Sequence, residues 1–191
     1  MKLTDPFQIL SPEERWAPSQ IQIDAYQNEY EKLLPPLVYK IRLAVYEWRN
    51  DQYKGASETS KSLLKFWFDR EHISAEKTFQ FFFSQREAIE SIIYLYEVAI
   101  ATDKYELMRF DSSQRVSGGM FDENWTRYVI KMATGAGKTK VMGLTLVWSY
   151  FHKLYEDNSA LSKNFLVIAP NIIVLNRLLK DFEGLKMFLN E

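Results

Sequence analysis

Val38, Ile41, Val45 and Trp48 recur three or four positions apart, the spacing of one helical face, and predict a helix that opens at Pro36 and stops before Lys54-Gly55. Pro35-Pro36 disfavours a helical residue just before it, so an earlier helix starting near Ile21 has to end around Leu34. Ser57-Glu58-Thr59-Ser60 has the composition of a helix start and leads into Leu63, Leu64, Phe66, Trp67 and Phe68. A further helix over 79–102, opening with the aromatic run at 79–83, places Ile89, Ile93, Tyr96 and Ile100 on one face. Residues 1–20 hold Pro6, Pro12 and Pro18 and no helical period. They read as an extended leading segment that packs through Phe7, Leu10 and Trp16. Aromatics at helical spacing more often bury area than stack on ligands, so residues 1–75 read as a compact helical unit with these rings in its core.

After a polar connection over 103–126 the period changes. Trp125–Met132 reads as a strand, a glycine-bearing turn follows, and 138–155 continues as a long helix. A second strand, Asn164–Ala169, runs through Pro170-Asn171 into a helix over 173–182. This β-turn-α-β-α order is the opening of a parallel sheet with right-handed crossovers. The expected fold class is α/β, with a helical N-terminal region at 1–78 and the parallel-sheet domain at 79–191.

Charge adds an asymmetry: residues 1–126 carry net −5 and residues 127–191 net +4. A basic C-terminal part is compatible with polyanion binding and equally with an ordinary solvated surface. The absence of cysteine excludes disulfides, a thiolate nucleophile and a Cys-ligated zinc site, and His72 and His152 lack metal-ligand spacing. The apolar stretch at 141–152 is too short for a bilayer span of about 20 residues, and the N-terminus has no apolar signal core. The expectation is a cytoplasmic protein with no membrane contact, which makes the sequon at Asn124 accidental.

The turn itself carries the chemistry. In Met132-Ala133-Thr134-Gly135-Ala136-Gly137-Lys138-Thr139, between a strand and a helix, Gly135 and Gly137 allow a tight fold. N–H groups from Gly135 through Lys140 could then cradle a phosphate at a helix N-terminus, with Ala133, Thr134 and Ala136 completing the loop. Lys138 would reach the β- and γ-phosphates of ATP, and the Thr139 hydroxyl would take one position on Mg²⁺. Met132 stands where the general G-x-x-x-x-G-K-[ST] pattern has its first glycine. The plainer alternative is a glycine turn joining a strand to a helix.

The form Met-Ala-Thr-Gly-Ala-Gly-Lys-Thr resembles the phosphate loop of superfamily-two, DEAD/DEAH-like helicases, especially the motor subunits of type III and type I restriction enzymes, where the Met132 position need not be glycine. Ser84-Gln85-Arg86-Glu87-Ala88-Ile89 is similar to that family's Q-motif. The resemblance implies that Gln85, carrying both a donor and an acceptor, reads the adenine edge; the alternative is a helix residue facing water. Phe81, Phe82 or Phe83 could lie beside the base, although core is the commoner fate of such residues. Phe165–Asn171 is similar to motif Ia, which implies that Pro170, Asn171 and, more weakly, Arg177 touch the phosphates of a nucleic-acid strand. Asn171 as a helix N-cap is compatible with that role. Less specific words such as Leu33-Leu34-Pro35-Pro36 and Trp48-Arg49 resemble the helical leader of such motors.

The resemblance implies an incomplete RecA-like P-loop domain, an ATP-dependent helicase or translocase as the whole protein, double-stranded DNA as its nucleic acid, and a modification subunit as partner. Hydrolysis needs a hydrophobic strand ending in Asp-Glu and arginines from a second domain; no acidic residue after Thr139 follows such a strand. The expectation is a piece of a longer motor that binds ATP without turning it over. Two rival readings remain open: a P-loop enzyme of another class, such as a small kinase, and an interaction module with a vestigial loop.

Overall fold

The computed structural model describes residues 5–12, 37–74, 77–111 and 125–183. Trp16 and the helix expected over 21–34 lie outside these residues. The stripe beginning at Val38 forms α1 (Val38–Asn50), which buries Val45, Trp48 and Arg49. Past its end, Gln52 and Tyr53 take left-handed φ angles of 55° and 58°, unfavourable for residues with a Cβ. The surroundings hold the turn. The Tyr53 hydroxyl donates to Glu90 Oε1 at 2.7 Å, its ring meets Trp48 edge-on with centroids 4.9 Å apart, and Trp48 Nε1 donates to the Lys54 carbonyl at 2.9 Å.

Helix α2 (Glu58–Asp69) starts where Ser57 Oγ accepts from the Ser60 N–H at 3.1 Å. The Glu156 carboxylate accepts from the Thr59 N–H at 3.1 Å, placing an anion at the helix N-terminus, where the backbone dipole favours it. Hydrogen bonding to Thr59, outweighing partial desolvation, holds Glu156 below the usual carboxylate range, with His152 and Ser57 assisting. Strands β1 (His72–Ser74) and β2 (Lys77–Phe79) then pair antiparallel, His72 opposite Phe79.

Helix α3 (Phe83–Ile93) continues into a π-helical turn at Tyr94–Val98. The helix expected from residue 79 therefore starts later and ends sooner. Phe79 belongs to β2, and Ile100 lies beyond the helix at φ 51° and 58% exposed. Aromatic residues suit a pleated, half-buried surface, and the start at Phe83 is set by Gln85, whose Oε1 accepts from the Phe82 N–H at 2.9 Å. That contact is one half of a capping box. Helix α4 (Lys104–Met108) is capped by Asp103 Oδ1, which accepts from Tyr105 and Glu106 N–H; α5 (Lys138–Tyr155) and α6 (Ile172–Phe182) complete the order.

The expected parallel sheet does not form among the described residues, where β1 and β2 make the only sheet. Residues 126–133 and 164–169 belong to no strand, with Val129, Leu166 and Ile168 more than 80% exposed. A strand is completed by backbone hydrogen bonds to a neighbouring strand, and the described residues pair neither stretch with one.

The chain divides into two compact units. One comprises Gln8–Ala56 and Glu90–Ile130. Its apolar interior, with Val45 and Ile93 fully buried, also encloses an ion pair: Arg49 Nε donates to both Glu90 oxygens at 3.0 Å, Arg49 Nη2 meets Oε2, and Glu90 is wholly buried. Elsewhere in this unit the Tyr128 hydroxyl donates to the Ala101 carbonyl at 2.9 Å. Burial, with Tyr96 adding, pushes that phenol up to about 12, so it stays a donor. The other unit comprises Met1–Phe7, Ser57–Ile89 and Lys131–Glu191. There α2 packs on α5, burying Leu64, Trp67, Leu144 and Trp148, while Trp148 Nε1 donates to the buried Ser60 hydroxyl at 2.8 Å.

Candidate functional site

The glycine-bearing loop lies in this second unit, immediately before α5. Gly135 and Gly137 have φ of 83° and 77°, the left-handed region where glycine has no Cβ to penalise it. The Ala136 N–H closes a turn on the Ala133 carbonyl at 3.3 Å, and the Lys140 N–H bonds the Gly137 carbonyl at 2.9 Å. Lys138 and Thr139, the first two helical residues, have no intrahelical acceptor for their N–H groups. The N-terminus of α5 thus presents unspent donors and a positive dipole end.

Lys138 is exposed, and its ammonium donates to the Met132 and Ala133 carbonyls at 3.0 and 2.9 Å. Ala133, Thr134 and Gly135 are also exposed, whereas Ala136, Gly137, Thr139 and Lys140 are half-buried. Lys140 lies 4.9 Å from the centre of the Phe79 ring. Burial pushes its ammonium down, against the opposing pull of Asp181. Neither Phe79 nor this contact is legible from sequence, since β2 brings in the ring from a separate element.

Gln85, 51 residues before Ala136, is 5% exposed, and its Nε2 donates to the Ala136 carbonyl at 3.2 Å. The sequence alternative of a residue facing water is thereby corrected: a Gln whose carbonyl caps α3 and whose amide grips the loop is buried by both contacts. A primary amide keeps a second N–H and a second lone pair beyond those two bonds. A Cβ added at Gly137 would stand 2.0 Å from Gln85 Nε2 and 3.2 Å from its Cδ, whereas one at Gly135 would meet nothing within 4 Å. Gly135 is therefore required for its backbone angle alone, Gly137 for its angle and for the room Gln85 takes.

Phe81 and Phe83 are buried; Phe82 is half-buried against Phe7. Pro170 and Asn171 are exposed at the start of α6, where Asn171 Oδ1 accepts from the Val174 N–H at 3.0 Å. Arg177 is exposed, its Nε 4.0 Å from Asp181 on the same helix. The structure thus gathers Gln85, the loop and Lys140. Among the described residues no cluster of His, Cys, Asp or Glu could hold a metal ion, and no helix is long and apolar enough to cross a membrane. A cation at the Thr139 hydroxyl would have to draw its other oxygens from phosphate and water, as Mg²⁺ at phosphate loops does.

A family model described as type III restriction enzyme, res subunit, matches residues 42–190. No curated protein and no solved structure matches the chain.

Proposed function

The chain belongs to the type III restriction enzyme res subunit family, a family of helicase-like motors acting on DNA, and from that premise we propose that residues 79–191 bind ATP with Mg²⁺ through the loop at 133–140. The observation that carries the reading is the bond from Gln85 to the Ala136 carbonyl. It ties a residue able to read a base edge to a loop whose helix N-terminus suits phosphate.

In this reading Lys138 would leave the Met132 and Ala133 carbonyls for the β- and γ-phosphates of a nucleoside triphosphate. Free N–H groups of the loop and the first turn of α5 hold the phosphate oxygens. The Thr139 hydroxyl takes one place on Mg²⁺, which when bound neutralises phosphate charge. Gln85 spends its second N–H and lone pair on the adenine edge. Pro170, Asn171 and Arg177 meet the backbone of a DNA duplex, and a modification subunit is the partner protein. The nucleotide region at 79–191 and the leader at 1–78 are the functional divisions of the sequence in this reading.

Titrating a fluorescent ATP analogue with Mg²⁺ against the chain and its Lys138→Ala variant tests the proposal. Saturable binding that the variant loses is the expected result. Equal binding by both proteins, or none by the wild type, overturns it.

A further inference from the structure

The first residues described in the chain are tied to the start of the helix that carries Gln85. The Pro6 carbonyl accepts from the Phe83 N–H at 2.9 Å, one of the donors that a helix start leaves without an internal acceptor. Beside it the Phe7 ring lies on Phe82, centroids 5.4 Å apart and tilted by 48°, within the range of favourable aromatic pairs. The short segment is locally pre-shaped. Asp5 Oδ1 accepts from the Phe7 N–H at 3.0 Å, an Asx turn, and Pro6 between them has its φ fixed by its ring.

These contacts converge on Gln85. Phe82 is the residue whose N–H is accepted by Gln85 Oε1, and Phe83, whose N–H goes to Pro6, is the first residue of α3. Phe7, 38% exposed, thus covers the residue that holds the Gln85 carbonyl in place. Were Phe82 to move, that carbonyl would lose its donor and the amide would be held from the Ala136 side alone, its carbonyl no longer fixed in direction. The sequence reading gave Phe7 only a general packing role, because the partner it finds is 75 positions away.

Resting on the reading of Gln85 as the adenine-facing residue, we infer that Asp5-Pro6-Phe7 is a strap that positions Gln85 and so sets the base preference of the nucleotide site. Phe7 is a positioning residue. It acts through Phe82 on the orientation of one amide and leaves the phosphate-gripping loop unchanged. A strap of merely structural value would weaken all nucleotides alike, whereas this one weakens discrimination between bases.

The test is a calorimetric titration of the full chain with ATP and with GTP, each with Mg²⁺, comparing wild type with Phe7→Ala, Phe7→Trp and Gln85→Ala. Phe7→Ala is expected to reduce the ATP-over-GTP preference by about threefold to tenfold, the worth of one aromatic pair, with GTP affinity unchanged. Phe7→Trp restores the preference, and Gln85→Ala abolishes it. Circular dichroism of each variant separates lost folding from lost preference. A preference that Gln85→Ala abolishes and Phe7→Ala leaves intact overturns the strap and spares the Gln85 reading. Parallel losses of ATP and GTP affinity in Phe7→Ala also overturn it. A wild type without preference overturns the base reading and the strap together.

Discussion

Two polar constellations in this chain use similar groups to opposite ends. In one unit Arg49, Glu90 and Tyr53 are each less than 10% exposed, and the Glu90 carboxylate takes hydrogen bonds from both partners. In the other, Gln85 is as deeply buried, yet the residues beyond it rise through half-buried Gly137 to exposed Lys138. The first pairs its opposite charges with each other inside the protein. The second keeps helix N-terminal donors and a cation that can exchange two carbonyls for a better partner. A buried ion pair whose partners match each other holds a fold. A basic loop at a helix N-terminus with spare donors suits an anion.

The contrast breaks most visibly at Glu90. Glu90→Ala leaves the Arg49 cation buried without its carboxylate and is expected to cost about 3–5 kcal/mol of stability, read from the denaturant midpoint. Replacing the pair together, Arg49→Met with Glu90→Leu, should recover most of that loss, because apolar residues of similar volume avoid the desolvation of two charges. Lys138→Ala, at an exposed position, should change stability by no more than about 0.5 kcal/mol while removing nucleotide binding. Equal destabilisation at both sites would erase the distinction.

A smaller effect probes the join between Gln85 and the loop. Gly137→Ala places a methyl group in a left-handed conformation, costing about 1–2 kcal/mol, and its Cβ falls on the Gln85 amide nitrogen. With Gln85→Ala present as well, only the backbone cost should remain, so the double-mutant cycle should show coupling between the two sites. Additive losses would mean that Gln85 moves aside freely.

The smallest effect concerns the Glu156 cap on α2. Its carboxylate is held below the usual range in the folded chain. The stabilisation is therefore complete above the ordinary carboxylate pKa and is lost as pH falls through the lowered folded value. Glu156→Gln should be slightly less stable than wild type at neutral pH, and the difference should shrink and vanish as solutions are acidified. A difference that persists unchanged in acid would show that charge at this helix end contributes nothing.

The helices around these sites were legible in the sequence wherever a local period recorded them. The stripe from Val38 to Trp48, the Ser57 start and the Asn171 cap depend on residues three or four positions apart, and each appears in the structure. The turn geometry of the loop was equally local, since glycines at 135 and 137 adjoin the helix start at Lys138 in sequence. The strands expected at 125–132 and 164–169 do not form among the described residues, because β character there rests on side-chain types, whereas a strand exists only with a partner to bond.

What only the tertiary structure decided is every contact joining distant residues. These include Gln85 on Ala136, 51 positions on, Glu156 capping α2 from 97 positions away, and Arg49 enclosed with Glu90. A single sequence records residue types and short spacings, so it determined the helical stripes and the composition of the glycine-bearing loop. Whether Gln85 faces water or holds the loop depends on closing a long stretch of chain, whose entropy is offset by many packing contacts acting together. No short pattern in the sequence encodes that sum.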